Sequence, residues 1–351
     1  MNHLNQVVEN ILSSKSETWL ITGVAGFIGS HLLQVLLQQG QTVVGLDNFS
    51  TGYRNNLDSV KNLVGSNNWK RFSLIEGDLR DLKTCQKACE KVVVVLHQAA
   101  LGSVPRSIKD PLATHQSNVD GFLNILIAAR DAGVRSFIYA SSSSVYGDHP
   151  ALPRKEDSIG RPLSPYALSK YVDECYAEVF FKSYGFATVG LRYFNVFGSR
   201  QNTKGAYAAV IPRWRSEMIN GDPVTIFGDG STSRDFCFVD NVVEANLLAA
   251  TAQQTQVEGE IFNIAFGEQT SLSELFEIMS NLLSRRAGVN KIKPVYAEFR
   301  QGDVAHSVAD ISKAKELLGY CPSVSVRAGL EMLPAENTQR GAPEVKPLSR
   351  A

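Results

Sequence analysis

Neither charge is in excess in this chain. Among 351 residues, Lys plus Arg and Asp plus Glu number 35 each. A neutral chain has no broad field to draw in a nucleic-acid backbone or an anionic membrane, so any phosphate it binds must be held locally. Cysteine is scarce: five residues without regular spacing argue against a disulfide framework and for a reducing compartment. Cys85 and Cys89 fall one helical turn apart, which matches no common zinc spacing, and the six histidines do not cluster, so no metal is assigned. Long apolar runs are missing too. Val92 to Leu96 is strand-sized, far short of the roughly 18 residues of a membrane span. The start is no secretory leader, since Asn5, Gln6, Glu9 and Asn10 interrupt it and it lacks a basic beginning. Leu4, Val7, Val8, Ile11 and Leu12 instead suit a short amphipathic helix lying on the domain. The expectation is a cytoplasmic protein with no nucleic-acid or membrane partner.

What is present is alternation. Trp19–Ile21, Thr42–Leu46, Phe72–Glu76, Val92–His97, Ser136–Ala140 and Thr188–Leu191 are near-continuous apolar segments, as in a parallel sheet buried on both faces. Helical periodicity fills Phe27–Gln39, Leu82–Glu90, Val119–Asp131 and Tyr166–Tyr184. Strand and helix in turn mean an α/β fold with a doubly wound parallel sheet of the Rossmann type. Beyond Phe197, clusters of Gly and Pro mark a smaller mixed α/β region, with returns to the sheet expected near Arg234–Val239 and at Ile261–Ala265. The expected division is 1–197 for the dinucleotide domain, with 236–267 partly returning to it, and 198–333 for the substrate region. The polar stretch 334–351 is expected to be a disordered tail.

Strand Trp19–Thr22, turn Gly23-Val24-Ala25-Gly26-Phe27-Ile28-Gly29, helix, strand and Asp47 follow in the order a dinucleotide site requires. Glycines let the chain turn, let amides approach a pyrophosphate and let helix pack on strand. Asp47, eighteen residues past Gly29, is placed to accept from an adenosine ribose, and its charge repels a 2′-phosphate, favouring NAD over NADP. Asp78 after the third strand has two compatible readings, an adenine contact and an N-cap for Leu82–Glu90. Tyr166 and Lys170 lie four apart on one helix, about 40° from vertical alignment, behind a Ser164-Pro165 start signal. A phenol ionises near pH 10, and an adjacent ammonium favours its phenolate, so this pair can serve as a base.

With His97-Gln98-Ala99-Ala100, Asn118, Ser141-Ser142-Ser143-Ser144-Val145-Tyr146-Gly147 and Tyr166-Ala167-Leu168-Ser169-Lys170 in order, the chain to about residue 330 resembles the extended short-chain dehydrogenase/reductase family. Within it the resemblance is to bacterial UDP-N-acetylglucosamine 4-epimerases of polysaccharide biosynthesis, in the UDP-hexose 4-epimerase group. It implies NAD as cofactor, held by Gly23, Gly26, Phe27, Ile28, Gly29, Asp47, Asn48, Asp78, Leu79, Gln98, Ala99, Ala100, Asn118, Tyr193 and the pair Tyr166 and Lys170. It makes Tyr166 and Lys170 catalytic together with a serine hydroxyl, Ser142 or Ser143. Relatives that dehydrate or decarboxylate carry acids where this chain has Ser143 and Ser144, so the resemblance points to 4-epimerisation. It further implies a homodimer built on the helix pair Val119–Asp131 and Tyr166–Tyr184.

The same resemblance implies substrate contacts from Gly102, Ser103, Ser142, Ser143, Asn195, Ala209, Val210, Arg234, Arg300 and Asp303, with Arg forks for diphosphate oxygens and Asp for ribose hydroxyls. A small residue at Ser307 resembles a gate open to an N-acetyl group, and Gly102 and Ala209 are small as well. The expected substrates are UDP-GlcNAc and UDP-GalNAc, with UDP-Glc and UDP-Gal weaker. Alternatives are N-acetylhexosaminuronic acids paired to Arg213 or Arg106, a dehydratase or reductase of the same fold, and a non-catalytic NAD-binding protein. The polar sequence from Glu336 departs from the apolar helical end of relatives.

Overall fold

The computed structural model describes residues 8–9, 11–12, 16–202, 208–287, 292–299 and 305–334. Seven strands form one sheet: β1 (Thr18–Thr22), β2 (Thr42–Asp47), β3 (Phe72–Glu76), β4 (Val94–His97), β5 (Ser136–Ser142), β6 (Thr188–Tyr193) and, late in the chain, Ile261–Ile264. Every pairing is parallel, and Ile261–Ile264 extends the edge beyond β6, next to β5, β4, β1, β2 and β3 in turn. The chain winds outward from β1 to β3, then returns and winds the other way from β4. The switch point therefore lies between β1 and β4, where open sheets leave a crevice at their carboxyl ends.

Side chains alternate to two buried faces. Trp19 and Ile21 of β1 join Leu32, Leu33 and Leu36 of α1 (Phe27–Gln38), whereas Leu20 joins Phe122, Ile125 and Phe137 on the other face. The polar helix α2 (Arg54–Trp69) follows β2, and α3 (Leu82–Ala88) follows β3. Past β4 come α4 (Val104–Lys109), α5 (Pro111–His115), a π turn at Gln116–Asp120 and α6 (Gly121–Asp131), so the expected Val119–Asp131 helix is entered through a wider turn. The helix α7 (Pro165–Tyr184) begins as its sequence dictates: Ser164 Oγ accepts from Ala167 N at 3.1 Å, Pro165 takes the first position, and Gly185 ends it in the left-handed conformation. Leu168, Val172, Cys175 and Val179 form an i, i+4, i+7, i+11 stripe on α7, of which Leu168, Cys175 and Val179 are exposed. Val8 and Leu12 at the amino end are buried against the domain.

The smaller region has its own core, in which Ile211, Trp214 and Met218 of α8 (Val210–Asn220) meet Ile226, Phe236, Leu275 and Met279. One expectation fails here. The segment near Arg234–Val239 does not rejoin the large sheet: Cys237–Phe238 pairs with Val196–Phe197, and Ser233–Arg234 pairs with Thr270–Ser271, each as a separate two-stranded ribbon. Two-residue strands are too short to carry a sheet pattern, so the apolar run looked like a core strand. What returns to the first domain is α9 (Val239–Thr251) and strand Ile261–Ile264. The 335–351 tail lies outside the described residues. Among those described, no helix is long and apolar enough to cross a membrane.

At the centre, Arg192 of β6 donates to both carboxylate oxygens of Glu174 on α7 at 2.9 and 2.8 Å, with both side chains buried. Ser141 Oγ donates to the same carboxylate at 2.5 Å, and Arg192 also donates to Tyr146 Oη and the Glu156 carbonyl. Removing one partner strands the other charge in the core. Arg192→Ala is expected to cost about 3–5 kcal/mol in denaturant unfolding.

Candidate active site

The glycine turn is built by close approach. Gly23 has φ +68, and a Cβ there would sit 2.9 Å from the Ala99 backbone, while a Cβ on Gly29 would sit 2.2 Å from the Gly23 carbonyl. Only glycine lets β1, the turn and α1 meet in this way. Helix α1 opens at Gly26 with no side-chain cap and no acid in its first turn, so its amides and dipole face the cleft unopposed. That cleft measures about 700 Å³, and Gly23, Gly26, Phe27, Ile28 and Gly29 line one end of it. Asp47 is buried beside them; its two oxygens accept from Ala25 N at 2.9 Å and Phe49 N at 2.8 Å. Burial raises its carboxyl, against the pull of those two amides. Each oxygen keeps a lone pair for a ribose hydroxyl.

Asn48, Asp78 and Leu79 complete that end of the cleft. Asp78 is not the helix cap: Asp81 caps α3, accepting from Lys83 N, because the helix begins one turn later than Asp78 can reach. Asp78 instead takes Arg80 Nε and Nη2 at 3.0 and 2.8 Å and Asn48 Nδ2 at 2.9 Å, and the Arg80 hydrogen bond holds its carboxyl down at about 2.

At the switch point Gln98, Ala99 and Ala100 line the cleft opposite the glycines. Tyr193 Oη donates to Gln98 Oε1 at 3.0 Å and accepts from Asn246 Nδ2 at 2.8 Å, and Gln98 Nε2 donates to Asn246 Oδ1, so all three are fixed. Asn118 does not line the cleft. The π turn carries it behind the wall, where Oδ1 accepts from Leu101 N at 2.7 Å and Nδ2 donates to Ser169 Oγ at 3.0 Å. It ties the Leu101-Gly102-Ser103 loop to the helix of Tyr166.

Ser142 and Ser143, at the carboxyl end of β5, line the cleft together with Tyr166 and Lys170. Ser142 Oγ accepts from Ser144 N at 3.2 Å and from Ser144 Oγ at 2.9 Å, which leaves its own proton directed elsewhere. Lys170 is 2% exposed and its Nζ donates to Asp173 Oδ2 at 3.1 Å. Asp173, Glu174 and Asn246 were not singled out from the sequence. The i+3 spacing of Asp173 from Lys170 was a visible signal, whereas Asn246 sits in a helix whose contact with Gln98 depends on the tertiary fold.

A second cavity of about 300 Å³ adjoins the first and shares Asn195, Val196, Gln201, Ala208 and Ala209 with it. Val210, Arg213, Trp214 and Arg234 also line it. Arg234 Nη1 donates to the Ser233 and Ala305 carbonyls. Gly102 and Ser103 open on the first cavity, as does Arg106. Ser307 lines neither. Its amide donates to Ser233 O at 3.2 Å, so its backbone is paired with the strand that carries Arg234. Arg300 and Asp303 lie outside the described residues. Beneath the ribbon the buried Asp235 carboxylate accepts from Phe266, Gly267 and Ala309 amides at 3.0–3.2 Å.

The family described as "NAD dependent epimerase/dehydratase family" matches residues 19–265, and the chain belongs to it. A UDP-glucose 4-epimerase of Mycolicibacterium smegmatis is 36% identical over 313 residues, covering 89% of this chain and 95% of that protein. The solved structure of a UDP-N-acetylglucosamine 4-epimerase from Methanobrevibacter ruminantium M1, in complex with UDP-N-acetylmuramic acid, is 36% identical with a TM-score of 0.81, covering 90% and 98% of the two chains. A UDP-glucuronic acid 4-epimerase from Bacillus cereus, in complex with UDP-glucuronic acid and NAD, is 33% identical with a TM-score of 0.78, covering 90% and 96%. NAD is the cofactor of this chain, and the glycine cradle, the open start of α1 and Asp47 suit it. Asp47→Ala should weaken NAD binding about 10- to 100-fold in a calorimetric titration, since it removes a buried acceptor from the cleft and frees the Ala25 and Phe49 amides.

Proposed function

We propose that this protein is a UDP-sugar 4-epimerase that interconverts UDP-GlcNAc and UDP-GalNAc. The observation that carries the reading is that Tyr166, Lys170, Ser142 and Ser143 line the larger cleft, which joins the second cavity, and that no carboxylate among the described residues lines the cleft beside them. Asp47 and Asp78 are the only carboxylates among the described residues lining either cavity, and they belong to the adenosine end. Among the described residues no acid lines that part of the cleft to eliminate water or assist decarboxylation, so inversion is the productive outcome.

The glycine turn Gly23–Gly29 and Asp47 would hold NAD, which would supply the acceptance and return of hydride at sugar C4. The Tyr166 phenolate takes the proton of the C4 hydroxyl, and the Lys170 ammonium favours that phenolate and bonds the cofactor ribose. Ser142 donates its free proton to the same sugar oxygen, holding it between hydroxyl and phenol. Inversion requires the oxidised sugar to present its other face before reduction. The sugar space is therefore bounded by Gly102, Ser103, Ala208 and Ala209, all small. Arg234 and Asn195 engage the diphosphate in the neighbouring cavity, so the nucleotide stays anchored while the sugar turns.

Gly102 supports the N-acetylated substrate. It is exposed, and nothing lies within 4 Å of the place its Cβ would take. Arg106 on the same wall favours a second reading, a uronic acid whose carboxylate that guanidinium pairs. Proton NMR of UDP-GlcNAc, UDP-Glc and a UDP-N-acetylhexosaminuronic acid, each incubated with the protein and NAD, decides among them. UDP-GalNAc appearing ahead of UDP-Gal is the expected result; turnover of the uronate alone selects the second reading, and no product from any of them refutes the 4-epimerase. In the same assay Tyr166→Phe should lower kcat by about 10²–10⁴-fold while UDP-sugar affinity holds. Gly102→Leu, which fills open space without a protein clash, should reduce kcat/KM about tenfold more for UDP-GlcNAc than for UDP-Glc.

A further inference from the structure

Asp173 follows Lys170 by one turn of α7 and is completely buried, its Oδ2 accepting from Lys170 Nζ at 3.1 Å. A buried ammonium needs a counter-charge, but this one also diminishes the field that Lys170 exerts on the Tyr166 phenol. The supply of hydrogen bonds shows that Asp173 differs from the other buried carboxylates nearby. Glu174 has both oxygens occupied by Arg192 and Ser141, and Asp235 has both occupied by backbone amides. Asp173 Oδ1 is buried and accepts from nothing among the described residues. Its ionised form is thus poorly supported, and burial raises the carboxyl to about 7 against the opposing pull of Lys170.

We propose that Asp173 is a positioning residue that sets the pH at which Tyr166 serves as base, passing between a carboxylate that offsets Lys170 and a neutral acid that leaves the full ammonium charge to the phenol. The proposal rests on Tyr166 and Lys170 being the catalytic pair. The other titratable groups around it are accounted for. Glu174 on α7 is committed to Arg192 of β6, and Tyr139 of β5 is kept protonated by burial and by the two carboxylates. His97 of β4 is held neutral by burial and by Lys170, its pKa lowered to about 3. Asp173 is the member of this set that pairs with Lys170 and keeps a buried oxygen with no hydrogen-bond partner among the described residues, and burial pushes its carboxyl up.

The sign follows. As pH rises, ionisation of Asp173 offsets the Lys170 charge and so opposes loss of the Tyr166 proton. With a neutral side chain at position 173 the phenolate forms earlier. Asp173→Asn and Asp173→Ser should both move the acid limb of kcat/KM to lower pH by about one unit. Tyrosinate ultraviolet absorbance of the NAD-loaded protein, taken as the difference from Tyr166→Phe, should shift by the same amount without any turnover. A folded, active variant whose limb and absorbance titration match the wild type overturns the proposal and leaves Asp173 a simple counterion. Should neither variant fold, the wild-type difference titration carries the test: two steps support the coupling, and a single step overturns it. Because the absorbance needs no substrate, failure here is distinct from failure of the epimerase reading, which would appear as absent product with every sugar.

Discussion

The buried pair of Arg192 and Glu174 fixes the height of α7 against β5 and β6, and the site depends on that height. Ser141 bonds the same carboxylate, so the strand end bearing Ser142 and Ser143 and the helix bearing Tyr166 and Lys170 share one anchor. Arg192 also holds Tyr146 and the Glu156 carbonyl, which fixes the turn after β5. A charged anchor suits this place because its geometry is directional. Apolar packing tolerates small slips of a helix along a sheet, whereas a two-pronged guanidinium–carboxylate contact does not. The residues proposed to do chemistry flank this anchor, so their spacing is as secure as the fold itself.

Much of this was legible in the sequence because the signals are local or strictly periodic. Buried parallel strands read as short apolar runs, the glycine turn is set by the contacts its backbone must make, and the start of α7 by Ser164 and Pro165. The parts that were not legible depend on distant contacts. Asn118 was assigned to the cofactor, yet a π turn, which has no sequence period of its own, rotates it behind the wall as a tie between loop and helix. Ser307 was assigned to the sugar, yet its position depends on backbone pairing with Ser233, which no side-chain pattern encodes. The Cys237–Phe238 run looked like a core strand because burial, not sheet membership, makes a run apolar.

Charge is distributed along the cleft in a way the neutral total conceals. Asp47 and Asp78 occupy one end and Arg106, Arg213 and Arg234 the other, with the serines, Tyr166 and the buried Lys170 between them. Carboxylate acceptors and guanidinium donors are thus kept apart, and a molecule with the opposite polarity would meet like charge at both ends.

The slack around Gly102 has a further consequence. A binding wall made of glycine, alanine and serine grips little, so whatever occupies it is identified mainly by what it is attached to. Selection by exclusion follows: a sugar is rejected for being too large, not accepted for fitting closely. One bulkier or smaller wall residue is then enough to change which sugar is excluded. A site arranged in this way can change its sugar by single substitutions in its wall.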